Sequence, residues 1–264
     1  LGIAKFMPRF GHLPYVMGEG NKKLSKRDPE SNLLLHREAG MIPEGLNNYL
    51  ALLGWSISPD NDVFSMEEMA AAFDISDVNP NPARFDPKKC IAINAEHIRL
   101  LEPDDFRGRI VPFLHRDGLV SADSFDELTA DEQKIMQHAS PLIQTRIQLL
   151  GEAPGMLGFL FTEDDALELD EKSVSKLKEN APEVLDATIH FIENYDGPFT
   201  TEALEHALRE LIVEGMDIKP RIAFGPIRVA VTGRQVSPPL FESMEILGRE
   251  SVLNRLHSLC NRLG

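Results

Sequence analysis

The chain has few of the residues that form covalent or metal cross-links. It contains two cysteines in 264 residues, Cys90 and Cys260, which are too few and too far apart for a disulfide framework. None of its eight histidines stands three or four residues from another, so the spacing typical of a metal site is absent. We therefore expect a protein that folds without disulfides and without metal-ligating residues.

Long apolar runs are absent as well. No stretch approaches the roughly 18–20 apolar residues needed to cross a bilayer, and no signal-peptide pattern opens the sequence, so we expect a cytoplasmic protein. The chain begins at Leu1 without an initiator methionine, which suggests a piece of a longer protein. With 42% hydrophobic residues, it is long enough for about two domains.

The charge is unevenly distributed. A formal net charge of −15 argues against a nucleic-acid partner, yet residues 1–27 hold six basic residues and one acid. Residues 163–210 hold fourteen acids and four basic residues. One further segment is basic and has no acid: Lys219, Arg221, Arg228 and Arg234. Because salt screens surface charges beyond about 8 Å, local basic faces can still bind RNA; ordinary solvated faces are the alternative.

Residues 18–27 (GEGNKKLSKR) form a basic segment with two glycines. Glycines let backbone N–H groups approach an anion closely, and four basic side chains suit phosphate oxygens. The spacing does not fit the G-x-x-x-x-G-K-[ST] phosphate loop. The segment therefore predicts a phosphate-binding loop of another kind, with a solvated basic loop as the alternative.

Residues 23–27 (KLSKR) resemble the K-M-S-K-S signature of class I aminoacyl-tRNA synthetases, in the form that glutamyl-tRNA synthetases use. Residues 8–14 (PRFGHLP) and 40–56 (GMIPEGLNNYLALLGWS) are similar to the segments that flank this loop in that family. Three matches in the correct order make the resemblance specific. It extends over residues 5–264, and the helical end of the chain is typical of the bacterial-type glutamyl enzymes.

The expected fold is mainly α. The resemblance implies the end of a class I synthetase core with a stem-contact region at 1–100, then an all-helical anticodon-binding domain of two helical subdomains, 101–162 and 163–264. From the residues themselves, a short strand is expected within 1–17 and capping boxes at Ser65 and Thr129. Further helices are predicted at four places: 171–180, 182–195, 200–214 and 252–263. Cys90 and Ala92 replace the family's Leu and Trp.

The resemblance assigns the basic loop to ATP. Lys23, Ser25 and Lys26 would act in catalysis, with Lys26 closest to the phosphates, where charge develops on the pyrophosphate leaving group. Leu24 and Arg27 would complete the ATP-binding segment. The residues that follow, 28–30 (DPE), replace the common H-G-A and bring two acids near the loop.

ATP with Mg²⁺, glutamate and tRNA(Glu) are the ligands that the resemblance implies for the intact enzyme. ATP and Mg²⁺ are not expected to be bound to the fragment alone, whereas tRNA(Glu) is its expected partner. The family's H-I-G-H-like signature would lie before Leu1, so the fragment alone is predicted to be inactive. A monomer that binds neither DNA nor membranes is expected.

Arginines carry the predicted anticodon contacts. Between residues 139 and 161 the ionised residues are Arg146 and Glu152, and residues 142–147 resemble the family segment whose arginine contacts the third anticodon base, a cytosine. Arginine offers donors and no acceptor, which suits the acceptor edge of cytosine. Residues 225–242 resemble a second segment, in which Arg228 would contact the anticodon and Leu240 an unstacked base.

Other interpretations of these residues remain open. Lys219 and Arg221 are expected to meet tRNA phosphates. Arg146 could instead be a surface arginine whose stem lies along its helix, and Leu240 a core residue. Because Arg146 favours an enzyme that discriminates, the first alternative is a nondiscriminating enzyme that also charges glutamine tRNA. The second is an acidic helical adaptor that binds protein and not RNA.

Overall fold

The computed structural model describes residues 10–18, 20 and 22–263, except for the side chain of Arg221. It is mainly helical, which confirms the predicted fold class. Contacts divide the chain into two units, residues 1–101 with 148–150 and residues 102–147 with 151–264, which are described separately. The motif at 8–14 lies partly outside the described residues.

Among its described residues, the first unit contains a short parallel strand pair and four α-helices. Strand β1 (Val16–Met17) pairs with β2 (Ala83–Arg84), and Val16 lies opposite Ala83. The short strand expected within 1–17 is thus found at its end. The helices are α1 (Leu33–Ala39), α2 (Pro43–Ala51), α3 (Met66–Ala72) and α4 (Pro87–Leu100), with 3₁₀ turns at Pro29–Ser31 and Ile75–Asp77.

Local sequence signals explain where these helices begin. Pro43 and Pro87 occupy the first turns of α2 and α4, where no backbone N–H is needed. The predicted capping box of α3 is confirmed, with reciprocal hydrogen bonds between Ser65 and Glu68. The Asp86 carboxylate accepts hydrogen bonds from two N–H groups of the first turn of α4.

Two buried amides fix the core of the first unit, whose apolar side chains are Met41, Leu46, Tyr49, Phe85, Cys90 and Ile93. Asn94 accepts a hydrogen bond from the N–H of Ile42 (2.8 Å) and donates to the carbonyl of Gln148 (2.6 Å). Asn48 accepts from the N–H of Phe64 (3.1 Å). Because these amides are buried and satisfied, they set the register of α2 against its neighbours.

The second unit is a helical bundle. Its early helices are α5 (Pro103–Arg116), α6 (Ala130–Gln144), α7 (Ala153–Leu157) and α8 (Glu171–Val174). The later ones are α9 (Ala181–Glu193), α10 (Thr201–Leu208), α11 (Pro220–Thr232) and α12 (Leu240–Leu263), which is broken at Gly248. A π-helical segment, Arg209–Glu214, continues α10. Short 3₁₀ turns lie at Phe125–Glu127, Leu150–Glu152, Gly158–Leu160 and Asp164–Ala166.

The structure confirms some of the predicted elements of this unit and corrects others. The capping box of Thr129 and Glu132 opens α6 as predicted. The predicted helix at 171–180 is only Glu171–Val174, because the acidic and basic residues that follow it supply no continuous apolar face. The predicted helix at 200–214 changes to π geometry after Leu208.

The core of the second unit is formed by α9 to α12 with the π segment. Its buried side chains are mostly aliphatic and include Val184, Leu185, Ile192, Leu204, Leu208, Ile227, Val231, Met244, Val252, Leu256 and Leu259. Within the described part of the chain, no helix has the length and apolar character that crossing a membrane requires.

Gly233, which directly follows α11, should be hard to replace. It ends the helix with φ of +78°, and a Cβ at this position would lie 2.6 Å from the carbonyl oxygen of Glu168. We expect Gly233→Ala to lower the free energy of unfolding by about 1–3 kcal/mol, through left-handed backbone strain and this overlap. Denaturant titration followed by circular dichroism measures it.

Gly225 in the same helix is the matched control, because a Cβ there meets nothing within 4 Å. Gly225→Ala should be neutral or stabilising by about 0.5–1 kcal/mol. Equal effects of the two substitutions would contradict the assigned helix end.

Alkaline pH should destabilise the first unit. Burial raises the pKa of the Cys90 thiol from 9.0 to about 12 and that of Tyr49 from 10.0 to about 12. In the unfolded chain both groups lose their protons at lower pH than in the folded chain, so stability falls as pH rises between these values. Each group should lower the free energy of unfolding by about 1.4 kcal/mol per pH unit over its range.

The chain's single tryptophan, Trp55, lies in this unit and provides the signal for denaturant unfolding. The unfolding should be measured from about pH 8 to about pH 11, a range that includes the ordinary pKa values of both groups. Cys90→Ala should remove one group's share of the slope. Cys260→Ala, in the second unit, is the control and should leave the Trp55-monitored slope unchanged. A slope that Cys90→Ala does not alter would refute the assignment.

Candidate functional site

The basic loop is tied to β1 by backbone hydrogen bonds. The N–H of Gly18 donates to the carbonyl of Lys22 (2.8 Å), and the N–H of Leu24 donates to the carbonyl of Val16 (2.9 Å). The side chains of Leu24 and Val16 pack against the core of the first unit. Leu24 therefore anchors the loop, while Lys22 and Lys23 are exposed.

Residues 25–28 form a tight turn that presents Lys26 and Arg27 to solvent. The N–H of Asp28 donates to the carbonyl of Ser25 (3.0 Å), and the Asp28 carboxylate accepts from the N–H of Ser25 (2.6 Å). The hydroxyl of Ser25 accepts from the N–H of Arg27 (3.2 Å). Asp28, one of the two acids that depart from the family pattern, is therefore engaged with the backbone of the turn.

The ammonium group of Lys23 lies over the ring of Tyr15, 3.9 Å from its centroid. This cation–π contact holds Lys23 apart from the tip of the turn, where Lys26 and Arg27 stand. The loop thus brings three of the predicted ATP-binding residues, Ser25, Lys26 and Arg27, into one turn. Lys23 lies outside that turn.

The second unit brings Arg146 and Arg228 close together. Arg146 follows α6, is exposed, and donates its backbone N–H to the carbonyl of Ile143 (2.8 Å). Arg228 lies in α11 and is half-buried. Burial lowers the pKa of Arg228, the positive charge of Arg146 lowers it further, and the charge of Glu242 opposes both. Two guanidinium groups and one carboxylate therefore share one site.

One guanidinium nitrogen of Arg228 is committed to the protein. Its Nη1 donates to the hydroxyl of Ser237 (2.7 Å) and to the carbonyl of Pro238 (2.7 Å), both buried. These bonds fasten the segment that leads into α12. Arg228 therefore has a structural role in addition to its contribution to the charge of the site.

A cleft of about 660 Å³ shares Glu242 with this site. Residues of α6, α12 and the start of α10 line it, with Leu142 and Glu242 among them. Ile135, Phe199 and Ile246 give it apolar walls, while the carboxylates of Asp131 and Glu245 and the polar groups of Lys134, His138 and Thr201 give it hydrogen-bonding capacity. Such a lining suits a flat, partly apolar ring that carries polar edges.

The other predicted tRNA contacts lie elsewhere. Leu240 is 3% exposed and belongs to the core of the second unit, so its side chain is in a core position and its contact with a base stays a prediction. Lys219 is exposed and precedes α11, nine residues and about 14 Å along the helix axis from Arg228. Arg221 lies in the first turn of α11, and its side chain is outside the described residues.

Sequence reasoning missed Arg255. The apolar repeat of the last helix passes through Val252, Leu256 and Leu259, and Arg255 lies on the same face, where a basic residue is unexpected. The structure buries it and gives its guanidinium four hydrogen bonds. A charged residue at core spacing was the signal for it.

The described residues contain no group of three or more His, Cys, Asp or Glu side chains placed to hold a metal ion.

Two family models match the chain. Residues 105–260 match an anticodon binding domain, and residues 2–91 match the catalytic domain of class I tRNA synthetases of the E and Q type. The two matches together extend over most of the chain.

Curated relatives are similar over the whole chain. The glutamate–tRNA ligase of Kocuria rhizophila is 60% identical over 259 residues, which is 98% of this chain and 50% of the relative. That of Bifidobacterium adolescentis is 58% identical over 264 residues, which is 100% of this chain and 52% of the relative. The chain thus spans about half the length of the curated relatives it matches.

Solved structures show the same fold at low sequence identity. A glutamate tRNA ligase from Elizabethkingia meningosepticum matches with a TM-score of 0.77 and 23% identity over 98% of this chain and 52% of that chain. A glutamate-tRNA synthetase from Elizabethkingia anophelis matches with a TM-score of 0.75 and 23% identity, over 97% of this chain and 52% of that chain.

The different anchoring of the two arginines predicts different effects on stability. Arg228→Met leaves the buried Ser237 hydroxyl without its donor and leaves the Pro238 carbonyl only the longer bond from that hydroxyl (3.2 Å), so it should lower the free energy of unfolding by about 1–3 kcal/mol. Arg146→Met removes an exposed side chain and should stay within about 0.5 kcal/mol. Denaturant unfolding followed by circular dichroism tests both, and a larger loss for Arg146→Met would contradict this assignment.

Proposed function

Since the chain belongs to the family of class I glutamyl-tRNA synthetases, we propose that it is the tRNA-binding part of a glutamate–tRNA ligase and that it recognises the anticodon of tRNA(Glu). The intact enzyme charges this tRNA with glutamate, using ATP and Mg²⁺ through a glutamyl-adenylate and releasing AMP and pyrophosphate. We propose that it works as a cytoplasmic monomer. The division into residues 1–100, 101–162 and 163–264 is part of the same proposal.

The observation that carries the proposal is the convergence of Arg146 and Arg228 at a site that shares Glu242 with a polar and apolar cleft. Glu242 supplies one counter-charge to Arg228, and a bound anion or a row of acceptors would stabilise the two like charges further. An unstacked base offers acceptor edges and a flat face, and its phosphate offers negative charge. Lys219, with Arg221 nearby in sequence, would meet phosphates, which position the RNA without specifying its sequence.

Arg146 is the proposed reader of the third anticodon base. Its guanidinium is exposed at the end of α6, so it can reach an RNA without unfolding the helix. Its donors fit the N3 and O2 acceptors of cytosine and meet a donor on the Watson–Crick edge of guanine. This arrangement favours glutamate tRNA over glutamine tRNA, whose third anticodon base is guanine.

The basic turn is proposed to act on ATP. Lys26 and Arg27 stand exposed at its tip, where they can approach the phosphates, and Ser25 shapes the turn through its hydrogen bonds. Charge develops on the departing pyrophosphate, which a lysine at the tip would stabilise. Lys23 would leave the ring of Tyr15 and join Lys26 at the phosphates. Leu24 would keep the loop anchored to the core.

The test is binding of the 264-residue chain to glutamate tRNA and to the same tRNA with the third anticodon base changed from cytosine to guanine. The unaltered chain should prefer the cognate anticodon. Arg146→Ala should lose that preference by about 1–3 kcal/mol, or roughly 5-fold to 150-fold in Kd. Lys219→Ala should weaken both complexes equally and reduce the salt dependence by about one ion.

Arg262→Ala is the matched control, because Arg262 is a half-exposed arginine of α12 that pairs with Glu171. It should leave the preference intact. Equal binding of both tRNAs by the unaltered chain would overturn the discriminating assignment in favour of an enzyme that also accepts glutamine tRNA. Absence of tRNA binding, with partner binding that does not respond to salt, would favour the protein adaptor.

A further inference from the structure

Arg255 is almost completely buried, with 3% of its surface exposed, yet it carries a full positive charge. Its Nε donates to the carboxylate of Asp164 (2.6 Å). Its two terminal nitrogens donate to three backbone carbonyls, those of Phe159 (3.0 Å), Val231 (2.9 Å) and Thr162 (2.8 Å). A guanidinium with five donors in one plane can make such a set of bonds, which an ammonium group cannot.

One backbone acceptor of Arg255 lies in the helix that carries Arg228, and the two others lie in a segment that follows α7. Val231 is in α11, three residues after Arg228, and its carbonyl belongs to the last turn of that helix, which lacks intrahelical partners. Phe159 and Thr162 follow α7, which packs against α5 and α6. Arg146 follows α6 directly. Arg255 therefore joins α11, which carries Arg228, to the segment after α7, a helix that packs against α6 and so against the helix that precedes Arg146.

The contacts of Asp164 make this connection rigid. Besides Arg255, its carboxylate accepts hydrogen bonds from the hydroxyl of Ser251 and the amide of Asn254 (3.0 Å), both on α12. Asp164 is thereby fixed to the same helix as Arg255. A second link, from Arg234 to the carbonyl of Gly155 (3.0 Å), is exposed and consists of one hydrogen bond, so it constrains the backbone less.

The two site arginines interact through their charges. The positive charge of Arg146 lowers the pKa of Arg228, and the charge of Glu242 opposes this effect. Discrimination between bases needs donors held to within a fraction of an ångström, because hydrogen bonds weaken steeply with distance and angle.

We propose that Arg255 is a positioning residue for anticodon recognition, which holds the backbone of α11 and of residues 159–162 so that Arg146 and Arg228 act on the same RNA site. This inference rests on the proposed function. Arg255 contacts the protein alone and acts through the two exposed or half-exposed arginines.

The competing explanation is that Arg255 only stabilises the fold. The energetic coupling between Arg146 and Arg228 in tRNA binding distinguishes the positioning role from this purely stabilising role. If they act on one held site, the loss of affinity for glutamate tRNA in the Arg146→Ala, Arg228→Ala double variant should differ from the product of the single losses by about fivefold or more. In an Arg255→Lys background the two losses should become multiplicative within about twofold, because lysine cannot keep all four bonds.

Val252→Ala is the matched control for stability. Val252 is fully buried on the same helix, and its truncation leaves a cavity without touching the bonds of Arg255. It should lower stability and leave the coupling intact. Arg262→Lys, half-exposed on the same helix, should change neither property.

Outcomes for the two ideas are distinct. Coupling that persists in Arg255→Lys, or that disappears equally in Val252→Ala, overturns the positioning role while leaving anticodon recognition standing. An unaltered chain that does not distinguish the two tRNAs overturns the proposed function and this inference with it. Should Arg255→Lys not fold, Asp164→Asn serves instead, since it weakens one bond and keeps three; it should reduce the coupling, and unchanged coupling would refute the proposal.

Discussion

The second unit depends on a buried positive charge. Removing a guanidinium from water is costly, so Arg255 is tolerated only because Asp164 and three backbone carbonyls surround it. Burial raises the pKa of Asp164, but hydrogen bonds from its three neighbours outweigh that effect and the pKa lies below its usual range. The pair therefore remains charged at neutral pH. Any rearrangement that separates α12 from residues 159–164 would leave one of these charges buried without its partner.

In the first unit, buried neutral groups hold the helices in place. Asn48 and Asn94 are buried amides whose oxygen and nitrogen atoms both have backbone partners, so α2 has a single satisfied position against α4 and the segment that precedes α3. Gly45 allows this close approach, because a Cβ there would lie 2.7 Å from the Cα of Asn94. The basic turn follows β1, and Val16 of that strand and Leu24 of the loop pack on this core. The base of the turn is therefore anchored, while Lys26 and Arg27 at its tip are exposed.

Local chemistry explains which features could be predicted from the sequence. Ser65 and Thr129 cap their helices through bonds made within four residues, so short patterns suffice. The four bonds of Arg255 depend on partners dozens of residues away in the sequence, such as Phe159. No local pattern records such distances.

The candidate site divides in the same way. Residues 23–27 and the isolated charge of Arg146 identified the important segments, because motif and composition are properties of the sequence. The engagement of Lys23 with Tyr15 and the core position of Leu240 are properties of packing. The proximity of Arg146 and Arg228, 82 positions apart in the printed sequence, needed the folded chain.

Because the chain is acidic, the pairing of Arg146 with Arg228 matters for RNA affinity. With a net charge of −15, the chain gains little from the general attraction of basic proteins for phosphate, which supplies most non-specific affinity for nucleic acids. On the proposed function, affinity must then come from a few places where positive groups are concentrated and held. Arg228 is held by its own bonds to Ser237 and Pro238, whereas Arg146 is exposed and depends on the backbone that carries it. An acidic protein with a small, rigid pair of guanidinium groups would bind RNA weakly in general. It would bind well only where the acceptors of the RNA match that pair. Low non-specific affinity and base discrimination would then have the same physical origin.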